Sequence, residues 1–332
     1  GDYNLQIKEN KYDDVARFLE KKFSNIIDID EDLKKMSEEY SFGHELVKKH
    51  LLNGNFAAAE IFLRRQSIDQ AALLREYIHS VVDSRIMQEA AEYRPLGGGA
   101  TKTMLISYPR GLKVVFKPKS PSPINNIENE IIFWGIGGGL FKMSIPYTFK
   151  LNFRGEEGAG ILLYKGVKTL REMDMKMKKR LRERIFPRDI AKGGIEVEGY
   201  RTKEIYDDEK LLNYIYQNSD PNPDNTLVDN YVAPGEHPEH VYIDHSLTTL
   251  QGELWIHHAH RFSKKMLRDP VLKVDYSKIN LSPWFKEELS QMNEASFKVR
   301  MKDFLDENDI LYSESDLERW WMPLSFIKEQ LG

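Results

Sequence analysis

The first 90 residues carry apolar side chains at intervals of three and four positions. Three such stretches, 11–26, 30–52 and 55–86, have good helix formers between their apolar residues. Side chains at this spacing share one face of a helix, so the pattern predicts amphipathic helices. No residue pattern in these stretches carries catalytic chemistry. We therefore predict a structural helical extension over residues 1–90.

The pattern changes after residue 90, where short apolar runs alternate with turn-forming residues. Residues 93–120 predict three strands, with a glycine run after the first strand and a Pro-Arg-Gly turn after the second. Residues 124–141 predict a helix that begins at capping residues and is stopped by glycines. Two further strands are predicted over 145–153 and 158–167.

The remainder of the chain, from about residue 169, is predicted to be mostly helical. A polar loop around Asp220 and two short strands interrupt it. Trp320 and Trp321, near the end of the chain, are predicted to belong to the core or to a docking surface. Together these patterns predict a small β-rich region followed by a larger helical one.

Composition narrows the classes of function. The chain has 332 residues and a formal net charge of −4, which argues against a dedicated nucleic-acid binder. It has no cysteine, which excludes disulfides, thiol nucleophiles and zinc held by cysteine, and fits a cytosolic environment. No stretch approaches the roughly 20 apolar residues of a membrane span, and no signal peptide is visible. We expect a cytoplasmic protein.

Lys117 is the first candidate for chemistry. It ends the apolar run of residues 112–117, and Pro118 stops the strand there. By itself, a lysine at this position is typical of a surface lysine whose aliphatic stem is buried. The glycine run Gly97, Gly98, Gly99 lies one hairpin upstream, and its backbone amides could approach phosphate closely because no Cβ intervenes.

The same glycine run superficially resembles a Walker A motif. Thr101 occupies the place of the glycine that should precede Lys102. A strand, and not a helix, is predicted to follow it. We therefore reject a P-loop.

Glu130 lies on the helix predicted after the Lys117 strand. It begins the apolar run Glu-Ile-Ile-Phe-Trp, so we expect its side chain to face inward. In that position it would orient the lysine ammonium towards phosphates through an ion pair. Glu128 is the competing glutamate, two residues earlier and on a different face of the helix.

Three further polar residues complete the pattern. Asp220 and Asn225 are five residues apart in a proline-rich loop that neither a helix nor an inner strand can cross. In kinase catalytic loops, an Asp accepts the proton of the acceptor hydroxyl and an Asn five residues later binds a metal ion. Asp244 follows a short apolar strand, where the second metal-binding Asp of a kinase would lie.

In combination these motifs resemble an atypical kinase of the phosphatidylinositol 3/4-kinase-like and HipA-like branch. Residues 114–120 are similar to the Val-Phe-Lys-Pro-Lys strand of type II phosphatidylinositol 4-kinases and of bacterial effector kinases. Residues 218–228 resemble their catalytic loop, and residues 242–247 their Ile-Asp-Asn-Gly-Leu strand. The resemblance covers about residues 91–260. Pro221 departs from it by replacing the usual arginine after the catalytic Asp, and His245 is a milder change.

The resemblance implies an α+β, two-lobed, protein-kinase-like fold behind the N-terminal extension. The small lobe with its hinge would span residues 91–168 and the helical lobe residues 169–332. ATP would bind between the lobes with Mg²⁺ or Mn²⁺. The implied roles are catalysis by Asp220, Lys117 and Glu130, metal binding by Asn225 and Asp244, and nucleotide binding by Gly97, Gly98, Gly99, Lys117, Leu162 and Tyr164.

A basic segment follows the predicted hinge. Eight lysines and arginines lie between Arg171 and Arg188, and four of them are candidates for a polyanion site: Lys176, Lys178, Lys179 and Arg182. The simpler interpretation is a solvated helix face. The alternative is a site for an inositol polyphosphate, a phosphoinositide head group or an acidic membrane surface.

The sequence therefore predicts an ATP-dependent phosphotransferase. We favour a bacterial protein Ser/Thr kinase, injected into a host cell as an effector and regulated by inositol polyphosphate or phosphoinositide. A phosphoinositide kinase is the alternative, and peripheral membrane contact would fit either. A nucleotide-binding pseudokinase is the second alternative, and a kinase fold that performs adenylylation or dehydration is the third.

Overall fold

The computed structural model describes 53–96, 102–120, 126–169, 206–216, 225–229, 240–244 and 279–332, together with residues 47, 50, 51, 218, 248, 250 and 276. These residues form helices and two antiparallel sheets. The fold is therefore of the mixed α and β class. Within the described part of the chain, no helix has both the length and the apolar content needed to cross a bilayer.

The chain divides into two compact units. The first unit comprises 1–118 and 151–165, and the second comprises 119–150 and 166–332. The helices before residue 90 thus fall in the same unit as most strands of the first sheet. The three-part division that we predicted, with boundaries at residues 90 and 168, remains a prediction.

Between residue 53 and the first sheet the structure describes three helices: α1 (Phe56–Gln66), α2 (Ile68–Asp83) and α3 (Arg85–Ala90). They follow an earlier helix of which residues 47, 50 and 51 are described. Ser67 starts α2 by accepting a hydrogen bond from the amide of Gln70, as an N-cap serine does. Leu63 of α1 and Leu74 of α2 are buried, so the apolar face of each helix is covered. These helices agree with the prediction for 55–86, and residues 1–46 lie outside the described part.

The first sheet has five strands: β1 (Glu92–Pro95), β2 (Met104–Ser107), β3 (Lys113–Pro118), β4 (Thr148–Phe153) and β5 (Glu156–Leu162). Their order is β1-β2-β3-β5-β4. Val114 and Phe116 of β3 are fully buried, so the intervening Val115 and Lys117 point to the opposite face of the sheet. All five strands overlap the runs that the sequence predicted, although β5 begins before residue 158 and ends at Leu162, well before the predicted residue 167.

The helix predicted over 124–141 does not stop at its glycines. Helix α4 (Ile127–Trp134) begins where the Asn126 side chain accepts a hydrogen bond from the amide of Asn129, and it continues as a π-helix over Gly135–Leu140. The prediction of a glycine stop is wrong for a steric reason. A Cβ at Gly135 would overlap the Phe304 ring, so this glycine permits close packing within the helical run.

In its described residues, the second unit contains a three-stranded antiparallel sheet and four helices besides α4. The strands are β6 (Val167–Thr169), β7 (Thr226–Asp229) and β8 (His240–Tyr242), in the order β6-β7-β8. The helices are α5 (Asp208–Ile215), α6 (Pro283–Gln291), α7 (Glu294–Glu307) and α8 (Glu314–Leu331). The two strands predicted in this region are β7 and β8.

Side-chain caps start the last three helices. Ser282 accepts from the amide of Phe285 at the start of α6, and capping boxes begin α7 at Asn293 and α8 at Ser313. Trp320 and Trp321 of α8 are both buried. This confirms that the two tryptophans belong to the core.

Candidate functional site

Lys117 lies near the end of β3, as predicted. It is opposite Ala159 of β5, and the next pair along the two strands is Pro118 with Gly158. A Cβ at Gly158 would overlap the backbone carbonyl of Lys117 and the ring of Phe116. The glycine therefore lets β5 lie close behind Lys117 and fixes the backbone from which the lysine side chain projects.

The candidate phosphate-binding glycines connect β1 to β2. The amide of Leu96 donates to the carbonyl of Thr103 at 2.9 Å, which closes the hairpin around this connection. Gly97, Gly98 and Gly99 themselves lie outside the described residues. Their contact with a phosphate remains a prediction.

Glu130 faces inward from α4, as expected, with only 3% of the residue exposed. The competing Glu128 instead forms an ion pair with Lys119, whose Nζ lies 2.6 Å from the Glu128 carboxylate. The structure thus separates the two glutamates into a buried one and a partly exposed one. The predicted ion pair of Lys117 with Glu130 would join residues of different units, and it remains a prediction.

Asn225 and Asp244 are brought together by the hairpin of β7 and β8. Asn225 immediately precedes β7, and Asp244 follows β8 by two residues, so both lie at the same end of the hairpin. The amide of Ile243 donates to the carbonyl of Asn225 at 2.9 Å. The backbones of the two predicted metal-binding residues are therefore neighbours at one end of the hairpin, and their binding of a cation remains a prediction.

The backbone of Asp244 has an uncommon conformation. Its φ angle is +65°, in the left-handed region that Asp and Asn adopt more easily than other residues with a side chain. Such conformations cost about 1–3 kcal/mol and concentrate at functional sites. Lys142, Arg154 and Asp309 share this left-handed backbone, so the conformation alone assigns no role to Asp244, and its metal-binding role remains a prediction.

The segment that follows Asp244 is held by side chains from two helices. Asn129 of α4 donates from its Nδ2 to the carbonyl of Thr248 at 2.7 Å. Arg319 and Trp320 of α8 both donate to the carbonyl of Leu250 at 2.8 Å. Asn129 was not predicted from the sequence as a supporting residue, although an amide between two glutamates at the start of an apolar helical run was the available signal.

Asp220 and the basic residues Lys176, Lys178, Lys179 and Arg182 lie outside the described residues. The described residue closest to Asp220 along the chain is Asn218, which is buried. Its side-chain Nδ2 donates to Oδ1 of Asn213 at 3.0 Å, and its amide donates to the Asn213 carbonyl at 2.8 Å. Helix α5 therefore anchors the start of the predicted catalytic loop.

A buried carboxyl lies one turn before Asn213 on the same helix. Burial raises the pKa of Glu209 from 4.5 to about 7, an effect that Lys210 and the hydrogen bond from Asn213 partly offset. The carboxyl is protonated in both the folded and the unfolded chain below pH 4.5. Between pH 4.5 and 7 only the unfolded chain loses the proton freely, so folding stability is lost as the pH rises through this window.

We expect Glu209→Gln to remove this pH dependence. The amide oxygen can still accept the hydrogen bond from Asn213, and no charge has to be buried. The variant should be more stable than the wild type by about 3 kcal/mol at pH 8 and by under about 1 kcal/mol at pH 5. Urea unfolding at the two pH values measures this, with Glu307→Gln on the exposed surface as the control. Equal gains at both pH values would contradict the assignment.

Leu162 and Tyr164, the predicted adenine-binding residues, are both buried. Leu162 pairs with Val114 of β3, and the amide of Leu163 donates to the carbonyl of Lys113 at 3.0 Å. The predicted hinge thus leaves the sheet as a direct continuation of β5. Within the described part of the chain, no group of three or more His, Asp or Glu residues could hold a metal ion.

Comparison with known proteins adds little to this geometry. No protein-family profile matches the chain, and no curated protein matches it. Among solved structures, the fold is similar to that of CtkA, a proinflammatory kinase of Helicobacter pylori, with a TM-score of 0.39 and 11% sequence identity. The similarity covers 70% of this chain and 88% of that chain. The functional argument therefore depends on the residues of this chain alone.

Proposed function

We propose that the protein is an ATP-dependent phosphotransferase with a kinase-like fold. The observation that supports this most strongly is the hairpin that brings the backbones of Asn225 and Asp244 together. The order along the chain supports it as well, because a strand-ending lysine and a buried helix glutamate, Lys117 and Glu130, come before that pair. Each feature alone is common, and their order is what favours this class of enzyme.

The donor set fits a hard divalent cation. Asn225 and Asp244 offer an amide oxygen and a carboxylate, and Mg²⁺ is usually held by one or two carboxylates together with phosphate oxygens and water. When bound, such a cation neutralises the charge that develops on the transferred phosphoryl group. We propose that Asn225 and Asp244 bind and orient this cation.

The other residues have separate roles in the proposal. Lys117 binds phosphate oxygens through its ammonium, and Glu130 orients that ammonium. Asp220 accepts the proton of the acceptor hydroxyl, because a positioned carboxylate can remove it as the phosphorus–oxygen bond forms. Gly97, Gly98 and Gly99 donate backbone hydrogen bonds to phosphate.

We further propose that the acceptor is a serine or threonine hydroxyl of a protein. The divergent loop, in which Pro221 follows Asp220, and the helical extension favour this over a phosphoinositide acceptor. Regulation by an inositol polyphosphate at Lys176, Lys178, Lys179 and Arg182 belongs to the same proposal.

The experiment that tests the function uses two labels on ATP. The protein is incubated with Mg²⁺ or Mn²⁺ and ATP labelled at the γ- or the α-phosphate, with a generic protein substrate or phosphatidylinositol vesicles. We expect label from the γ-position to appear on protein. No labelling should occur when EDTA is present from the start of the reaction. Label on lipid would select the phosphoinositide acceptor, and transfer from the α-position would indicate adenylylation. No transfer from either position would contradict a phosphotransferase.

A further inference from the structure

The side chain of Asn55 forms a two-point contact with the backbone of Lys165. Its Nδ2 donates to the carbonyl of Lys165 at 3.2 Å, and its Oδ1 accepts from the amide of Lys165 at 3.2 Å. Asn55 is 97% buried, with 3% of the residue exposed, and lies 110 positions before Lys165. One amide side chain thus binds the backbone of a distant residue as a neighbouring strand would.

Asn55 makes this contact in place of its ordinary local role. It is the N-cap residue of α1, where an asparagine normally accepts a hydrogen bond from an amide in the first turn and contributes about 1 kcal/mol to the helix. No such cap hydrogen bond is formed here. The helix gives up that stabilisation, and the side chain is directed to Lys165.

The turn before α1 brings Asn55 close to Lys165. The amide of Gly54 donates to the carbonyl of Leu51 and that of Asn55 to the carbonyl of His50, which is the Schellman pattern at the end of the preceding helix. Gly54 has a φ of +64°, and a Cβ there would lie 2.6 Å from Nζ of Lys165. Only glycine fits this approach without displacement of its neighbours.

The lysine side chain strengthens the same contact from the other direction. Nζ of Lys165 donates to the carbonyls of Asn53 and Gly111, at 3.2 and 3.3 Å. Lys165 is therefore joined to the turns before α1 and before β3 through four hydrogen bonds, two from its backbone and two from its side chain.

Lys165 is the last residue of the first unit before the chain passes into the second. The amide of Leu163 is bonded to β3, and the amide and carbonyl of Lys165 are bonded to Asn55. The backbone is therefore fixed on both sides of Tyr164. These residues are the hinge on which the proposed function relies for adenine binding.

We infer that Asn55 is a positioning residue for the nucleotide-binding hinge, and this inference rests on the proposed function. The helical extension then has a role, since it holds the hinge in the path that adenine requires. The single amide proton of Lys165 is already donated to Asn55, so adenine has to accept its hydrogen bond from another hinge residue. The extension thereby restricts which backbone groups bind the nucleotide.

The test compares Asn55→Ala with Asn53→Ala. Asn53 lies two residues away with an exposed side chain, and its contact with Lys165 uses only the backbone carbonyl. Removing two hydrogen bonds should raise the Kd for ATP, measured by calorimetry with Mg²⁺, by about tenfold. We expect KM for ATP to rise similarly, kcat to change less than about twofold, and amide exchange of peptides covering 162–166 to accelerate. Asn53→Ala should behave as the wild type.

Two further variants keep the inference testable if Asn55→Ala folds poorly. Asn55→Asp retains the acceptor for the Lys165 amide but loses the donor to its carbonyl, so it should give a smaller rise in Kd. Lys165→Met removes the two side-chain bonds to Asn53 and Gly111 but keeps both backbone bonds to Asn55, so it should raise Kd less than Asn55→Ala does. A lower melting temperature with unchanged Kd in both Asn55 variants would overturn the inference, because it would indicate a purely structural role.

ATP binding by the wild-type protein separates failure of the proposed function from failure of this inference. A wild-type protein that binds no ATP would refute the nucleotide site itself, and with it the inference. A wild-type protein that binds ATP, beside Asn55 variants that bind it equally well, would refute only the role of Asn55.

Discussion

Replacement of Asp244 by alanine is expected to reduce phosphotransfer by about 10³-fold or more while the protein stays folded. The residue is half-buried at the end of a short hairpin and is not one of the buried residues of the core. Its proposed role is to bind the cation that neutralises the negative charge of the transferred phosphoryl group. Transfer from γ-labelled ATP measures the loss, and calorimetry with Mg²⁺ and ATP should show weaker binding as well.

Conformational strain has to be separated from chemistry in this variant. Asp309 also adopts a left-handed backbone, with a φ of +50°, and it is exposed. Asp309→Ala therefore removes an aspartate of the same conformation at a position with no proposed role, and it should leave activity unchanged. Asp244→Asn retains a residue that tolerates this conformation but removes the charge. Near-wild-type activity in Asp244→Asn would contradict the metal role.

Lys117→Met extends the same prediction to the first unit. Methionine preserves the aliphatic stem at the end of β3 and removes the ammonium, so the sheet should remain intact. We expect a loss of activity of similar size, since the phosphate charge would lose its protein cation. Activity in Lys117→Met with none in Asp244→Ala would leave the metal pair in place and remove the lysine from the proposal.

The strands and the candidate residues could be predicted because they follow from local patterns. Short runs bounded by turn-forming residues marked the five strands of the first sheet, and the proline after Lys117 marked where β3 ends. The inward face of Glu130 followed from the apolar residues next to it. For Asn225 and Asp244, spacing supplied the candidates, but only the pairing of β7 with β8 makes them neighbours.

The errors and omissions all involve contacts between residues distant in the chain. Gly135 looks like a helix terminator because glycine has low helix propensity, yet it lies within a helical run where the ring of Phe304 leaves no room for a Cβ. Asn55 looks like an ordinary helix cap, and nothing near it in the sequence points to Lys165. Local propensity is a weak guide wherever tertiary packing supplies the larger energy.

Replacement of Glu60 by alanine should produce the largest loss of stability in the helical extension. Glu60 of α1 is fully buried, and its carboxylate lies 2.9 Å from Arg64 of the same helix and 3.0 Å from Arg75 of α2. Burial lowers the pKa of Arg64 from 12.5 to about 10, against the opposing effect of Glu60, so the guanidinium stays charged at neutral pH. Removing the carboxylate leaves buried positive charge without its counter-ion.

We expect Glu60→Ala to lower the free energy of unfolding by about 3–5 kcal/mol, measured by urea denaturation. Glu89→Ala is the matched control, because Glu89 forms an i,i+4 pair with Arg85 in which both side chains are mostly exposed. That pair should contribute under about 1 kcal/mol. An equal loss of unfolding free energy in both variants would mean that the buried cluster contributes no more to stability than the exposed ion pair.

The cause of the loss can be tested by removing all three charges together. The triple variant Glu60→Leu, Arg64→Met, Arg75→Met should recover most of the stability lost in Glu60→Ala, because a buried ion pair is weak evidence of net stabilisation and an unpaired buried charge is what costs free energy. Asn55 is the N-cap residue of helix α1, so the order of this helix and the contact with Lys165 depend on each other. Glu60→Ala should therefore also weaken ATP binding at temperatures where the protein is still folded, and the triple variant should restore it. An ATP Kd that stays constant across all three proteins would separate the stability of the extension from the positioning of the hinge.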